Sequence, residues 1–206
     1  MKNKSSALTA VYLATFFYAI HYALTLYIES SFLSKFLPTE SVGLIFTSAA
    51  IVSIVMLFNL PPLLRRFGNY KLLLTAATVD AISLLLLSFL PIKEIVIFFF
   101  VTHLVFLNII YFSLTIFLES FSKDETTGSS HGIFLNILSI AVLTGPLIAG
   151  SLLNDGSYQK IFALSGILVL PVLFIVGKHL RDFTDHNYAG ISFVQTLISI
   201  IREKNL

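Results

Sequence analysis

Four ionisable side chains, His21, Glu29, Asp80 and His103, sit inside or at the edge of long apolar runs. A charge held in hydrocarbon is costly, so each is a functional candidate. Asp80 stands near the middle of Leu72–Leu90, where an ionised, solitary carboxylate is strongly disfavoured; it must be protonated or paired. Ala76 and Ser83 share its helical face, which turns that face into a bundle. Two roles stay open for Asp80: proton relay or cation coordination, or a structural hydrogen-bonded carboxyl. Tyr18, His21, Tyr22, Thr25 and Glu29 recur at three- and four-residue spacing and form one polar-aromatic stripe. Asn108, Tyr111, Thr115 and Glu119 form a similar stripe; His103 falls off it by helical angle, and a structural role is expected there. Asp80, His21 and Glu29 are the groups placed to carry protons. His21, Asp80 and His103 lie on three different runs, and no metal site is expected from them. The chain has no HExxH, phosphate-cradling glycine loop or nucleophile elbow, so neither an enzyme nor a cofactor is expected.

The elements that hold these groups follow from composition. Apolar residues make up 56% of the chain, charged residues 12%, and mean hydropathy is +0.91. A soluble domain carries about 25% charge, so this is an integral membrane protein. Cysteine is absent, which excludes disulfides and thiolate metal sites, and a net charge of +2 gives no reason to expect a nucleic-acid partner. The N-terminal apolar run is too long for a signal-peptide core. A helix crosses a bilayer in about 20 apolar residues. Six segments qualify: Ala7–Ile28, Val42–Leu64, Leu72–Leu90, Ile95–Leu118, Ile133–Leu153 and Ile161–Gly177. A polar loop, Glu119–Ser130, is expected between the fourth and fifth. With the N-terminus inside, ten Lys and Arg fall on the inner side, against Lys35, Lys93 and Lys160 outside. That bias predicts cytoplasmic termini in a multi-pass protein of the cell membrane, with the lipid bilayer as its first partner.

Residues 1–177 read as the helical unit and 178–206 as a cytoplasmic linker. In the linker Ile191, Val194, Leu197, Ile198 and Ile201 recur at the spacing of a short amphipathic helix, with a frayed tail as the alternative. The connection Leu63-Leu64-Arg65-Arg66-Phe67-Gly68-Asn69-Tyr70 is echoed by Leu152-Leu153-Asn154-Asp155-Gly156-Ser157-Tyr158, 88 or 89 positions later. The echo maps segments one to three onto four to six. An odd number of spans per unit makes these inverted repeats, a transporter pattern. The fold class is therefore all-α: six transmembrane helices as two inverted three-helix repeats, both termini cytoplasmic. Within segment five, Thr144-Gly145-Pro146-Leu147-Ile148-Ala149-Gly150 places a proline among small residues. Its freed carbonyl needs a protein partner in lipid, and the small residues let another backbone come close. Asn59 and Asn136 read as helix cross-links, and Pro171 as a kink.

These pieces resemble the N-terminal half of a major facilitator superfamily transporter. That family's loop between helices two and three reads Gly-x-Leu-Ala-Asp-Arg-x-Gly-Arg-Lys. Here it is Pro61 to Tyr70, keeping Leu63, Arg66 and Gly68 but with Pro61 at the first glycine and Arg65 at the acidic position. The family's helix-five signature, Gly-x-x-x-Gly-Pro-x-x-Gly-Gly, is matched by Ala141-x-x-x-Gly145-Pro146-x-x-Ala149-Gly150. Phe117–Ser122 resembles its helix-four to helix-five loop. Arg66, Gly68, Gly145, Pro146 and Gly150 are thus the expected conformational motif. Arg65 cannot join the charge network that the acidic residue serves in the family.

The resemblance implies alternating-access transport of a small-molecule substrate, as an exporter or antiporter, with no cofactor. It implies a cavity lined by helices one and four, which makes Tyr18, His21, Tyr22, Thr25, Asn108, Tyr111 and Thr115 the substrate-contact candidates and places Asp80 on a peripheral helix. A family member has twelve helices. This chain is expected to be one half, completed by a C-terminal half in the same reading frame, by a separate chain or by a homodimer; truncation is the favoured account. The alternative is a membrane scaffold or assembly subunit that does not transport. Gly145–Gly150 is expected to be the seam left open to the missing half.

Overall fold

A computed structural model describes residues 4–90, 92–185 and 188. The tail 189–206, including the expected amphipathic helix, lies outside the described residues. Among the described residues six helices are long and apolar enough to cross a membrane: α1 (Lys4–Leu26), α3 (Thr39–Phe58), α5 (Asn69–Phe89), α6 (Lys93–Phe121), α7 (Thr127–Leu152) and α8 (Tyr158–His179). Two short helices, α2 (Glu29–Leu33) and α4 (Leu60–Phe67), join them. No strand occurs among the described residues. All six expected spans are present, with shifted ends.

Two boundaries differ from expectation for clear reasons. Segment two does not run unbroken to Leu64; α3 stops at Phe58, and α4 starts anew with prolines in its first turn. Pro61 and Pro62 have no N–H for the carbonyls one turn earlier, so continuation would strand them. The Asn59 side chain donates to Val55 O at 2.7 Å, within its own helix rather than across to another. The polar loop expected at 119–130 is also shorter. α6 runs on to Phe121, a 3-10 turn spans Asp124–Thr126, and α7 begins at Thr127, whose hydroxyl donates to Lys123 O at 2.9 Å. Polar residues here continue helices past the apolar band rather than ending them.

The helices pack in defined pairs. α1 lies against α6, α7 and α8; α5 lies against α6 and α8; α3 lies against α6. α1, α5, α6 and α8 form the centre. α3 and α7 bury few side chains and keep broad apolar faces exposed, among them Leu44, Ile51, Leu143 and Leu147. Helix association in lipid relies on close packing rather than on water exclusion, so small residues mark the seams. Ala19 and Ala23 of α1 meet Ala141 of α7, and Gly145 completes the same four-residue spacing. A Cβ built at Gly145 would lie 2.7 Å from both Cβ and O of Ala23. Pro146 leaves Val142 O without its helical donor, and the Tyr27 hydroxyl supplies a hydrogen bond to it at 3.3 Å. The expectation of a close-packed proline helix with a satisfied carbonyl holds at Gly145, Pro146 and Ala149. It does not hold at Gly150, which is exposed with nothing near its Cβ position.

Gly145→Ala therefore pushes α7 from α1 at a cost of about 1–3 kcal/mol, which outweighs a helix-propensity gain of about 1 kcal/mol. Gly150→Ala carries the propensity gain without the clash. Thermal unfolding in detergent should show a lower Tm for the first variant and an unchanged or higher one for the second. Equal shifts would remove the close-contact account.

Candidate functional site: a buried histidine and carboxylate chain

Asp80 is fully buried, and each of its oxygens faces an imidazole. His103 Nδ1 lies 2.6 Å from Asp80 Oδ1, and His21 Nε2 lies 3.0 Å from Asp80 Oδ2. The chain extends at both ends. His103 Nε2 lies 3.8 Å from Glu29 Oε1, and His21 Nδ1 lies 2.7 Å from Ser165 Oγ. Five side chains from α1, α2, α5, α6 and α8 thus form one line, Glu29–His103–Asp80–His21–Ser165, with every member no more than about 5% exposed.

Each element presents its member for a local reason. On α5, Leu73, Ala76, Ala77, Asp80, Ser83, Leu84 and Leu87 form one buried stripe, so Asp80 points between helices. On α6, Phe100, His103, Leu107, Ile110 and Leu114 form the buried stripe, separate from the half-exposed Asn108, Tyr111 and Thr115. Glu29 opens α2 just after α1 ends, which turns its carboxyl back toward His103. Ser165 precedes Gly166, whose missing side chain lets α8 come close to α5; a Cβ there would lie 3.4 Å from Ala81 O.

Hydrogen-bond arithmetic sets one tautomer. The single Ser165 hydroxyl proton is donated to His21 O at 3.0 Å, so the 2.7 Å contact needs a proton on His21 Nδ1. His21 Nε2 and Asp80 Oδ2, 3.0 Å apart, then form an ion pair when the ring carries a second proton and two facing acceptors when it does not. The line can therefore hold different numbers of protons without rearranging its heavy atoms. Proton transfer along it, or exchange of protons for a cation, is the chemistry that it supports.

The sequence candidates divide. His21, Asp80 and Glu29 come together as this line, and His103 joins them. Tyr18 and Thr25 are buried: the Tyr18 hydroxyl donates to Leu107 O at 3.3 Å, and Thr25 donates to Tyr22 O at 3.1 Å. Tyr22 is half-buried and stacks on Tyr18 at 6.3 Å between ring centroids. Tyr18 and His21 are thus sealed inside the bundle, while Tyr22, Asn108, Tyr111 and Thr115 keep partial exposure. Asn108 donates to Leu104 O at 2.8 Å, and its remaining N–H points to Ser53 Oγ at 3.5 Å. Sequence reasoning missed Ser165 and placed His103 outside the group. The available signal was the requirement that buried Asp80 be paired.

The α4–α5 connection has its own arrangement. Asp185, beyond α8, accepts the N–H of Asn69 at 2.7 Å, capping α5 with a carboxylate where the helix dipole favours one. Gly68 has φ +78°, and a Cβ there would lie 2.5 Å from Asp185 Oδ2, so only glycine fits. The acidic group absent at Arg65 is thus met by one from the other end of the chain. Tyr188 donates to Asp185 Oδ1 at 2.6 Å; burial and that carboxylate push its phenol well above its ordinary value. Arg66 is exposed and rests its guanidinium near the Phe67 ring.

Because Asp80 balances two imidazoles, Asp80→Asn should cost about 3–5 kcal/mol, the range for breaking a buried pair. In a double-mutant cycle with His103→Gln, the double variant should be less damaged than the sum of the singles by at least about 1 kcal/mol. Additive losses in unfolding free energy would show that the two side chains do not interact.

No curated protein matches this sequence. The family model for the Major Facilitator Superfamily matches residues 7–194, nearly the whole chain. The six apolar helices, the Gly145-Pro146 seam and that match lead to one conclusion: the chain is a multi-pass membrane protein and belongs to the Major Facilitator Superfamily of secondary transporters.

Proposed function

We propose that the chain forms one six-helix half of an alternating-access transporter that exports or antiports a small solute, with the buried line centred on Asp80 as its coupling element. The observation that carries this reading is that line itself. A transporter core has little reason to bury two carboxylates and two histidines in contact unless their protonation or occupancy changes during the cycle. Direction is suggested by Gly145-Pro146, which resembles the helix-five signature associated in the family with exporters and antiporters.

The inverted-repeat reading is supported by the helix pairs. Exchanging α1, α3 and α5 with α6, α7 and α8 turns the α1–α7 pair into α6–α3 and the α1–α8 pair into α6–α5, and all four pairs are present. The α1–α6 and α5–α8 pairs map onto themselves. The exposed apolar faces of α3 and α7 are the surfaces that a second half would cover, and the partly exposed Tyr22, Asn108, Tyr111 and Thr115 are this half's candidates for solute contact.

Membrane orientation has a direct test, because the chain lacks cysteine. Thr126→Cys should react with a membrane-impermeant maleimide only after permeabilisation, and Asn154→Cys in intact cells. The reverse pattern would overturn the cytoplasmic termini, and labelling of both from one side would remove α7 as a span and with it the inverted repeats. Coupling is tested in inside-out vesicles carrying the complete reading frame that contains this chain. A panel of small organic solutes is screened for collapse of an imposed pH gradient. At least one solute should collapse it, and Asp80→Asn should reduce that rate at least tenfold with protein levels matched. Solute-driven collapse that is undiminished in the variant would remove Asp80 from coupling, and no response to any solute would remove proton-coupled transport of that panel.

A further inference from the structure

We propose that His21, Asp80 and His103 bind a divalent first-row transition-metal ion inside the bundle, with Ser165 and Glu29 orienting the two imidazoles. Each of the three residues offers one ligand atom, and these atoms lie within 4.8 Å of one another. Donors at about 2.1 Å from a common ion stand about 3.0–4.2 Å apart. The observed separations run from 2.6 Å for His103 to Asp80 to no more than 4.8 Å, so reaching that range takes shifts of up to about 0.6 Å.

The hydrogen-bond inventory points the same way. Two of the buried side-chain atoms without a hydrogen-bond partner among the described residues, His21 Nε2 and Asp80 Oδ2, face each other across 3.0 Å in this cluster. Two acceptors facing each other in one sealed place are expensive unless a proton or a cation lies between them. The proton on His21 Nδ1 is held by Ser165, which leaves the lone pair of Nε2 directed at Asp80. Metal-bound histidines show this division of labour, one ring nitrogen on the ion and the other N–H on an outer acceptor. Glu29 stands in the corresponding place beyond His103, at 3.8 Å.

Donor chemistry selects the class of ion. Two imidazoles and a carboxylate without sulfur suit Mn2+, Fe2+, Co2+, Ni2+ or Zn2+ rather than Ca2+ or Mg2+, which prefer all-oxygen shells. Charge agrees: with both imidazoles neutral, Asp80 and Glu29 carry two negative charges that a dication balances. Without the ion, protons must do so. Binding at this site does not require the chain to transport.

Zn2+ is the probe. The chain, purified through a tag free of histidine, carries His131→Gln, His179→Gln and His186→Gln so that His21 and His103 are its only histidines. Dialysis against micromolar Zn2+ should leave one equivalent per chain. X-ray absorption at the zinc edge should show two imidazoles and no sulfur. Adding His21→Gln or His103→Gln should weaken binding at least 100-fold, and adding Ser165→Ala about tenfold to 100-fold, as for an outer-shell partner. Should those variants fail to fold, the zinc-edge spectrum of the three-histidine variant alone decides. Failure to retain zinc, a spectrum with fewer than two imidazoles, or affinity unmoved by His21→Gln would overturn the proposal and leave a cluster joined by protons only.

Discussion

One constraint organises this protein: a carboxylate has been placed where water does not reach, so the surrounding helices must neutralise it. Asp80 cannot be satisfied from its own helix. Its two oxygens take His21 from α1 and His103 from α6, and each histidine then needs a partner beyond, Ser165 from α8 and Glu29 from α2. One buried charge therefore ties together four spanning helices. Removing the carboxylate strands two imidazoles, whereas replacing the whole line by apolar residues could leave a sound bundle.

Around that centre the packing is generic to lipid. Small residues set the α1–α7 and α5–α8 distances, and long apolar side chains fill the rest. Two interruptions of the helical hydrogen-bond ladder fall at prolines. Pro61 and Pro62 divide α3 from α4, and Pro146 opens one carbonyl that Tyr27 then closes from outside the helix. Both devices link a local break to a neighbouring element, which lets helices tilt without exposing backbone to hydrocarbon. At the far end of the bundle Asp185 caps α5 across Gly68, coupling the stretch after α8 to the α4–α5 junction.

Much of the fold was legible because hydrocarbon imposes a simple rule. Six runs of about the right length had to be helices, and Gly145-Pro146 marked where one would press against another, whereas the break before Pro61-Pro62 went unread in a segment expected to run on to Leu64. The helix-end errors came from the same rule. Hydropathy reports the apolar band, whereas Glu119 and Thr127 lie on helical backbone beyond it, where water or a side chain satisfies the ends. The seam at Gly145 to Gly150 was half legible. Close packing of small residues was read correctly, but the stretch was expected to lie open to a second half, whereas Gly145 and Ala149 are buried, Gly145 against Ala23 of α1, and Gly150 faces outward.

The sequence by itself determined that this chain is a six-span membrane bundle and that Asp80 must find a partner, because both follow from the cost of polar groups in lipid. It also carried the signatures of the Major Facilitator Superfamily, which the match over residues 7–194 establishes. Only the tertiary structure decided who the partners are. His21, Asp80 and His103 lie on three helices, and periodicity along one helix says nothing about its rotation relative to another. Three-dimensional packing turned a cavity candidate, a peripheral acid and a supposed structural histidine into one connected site.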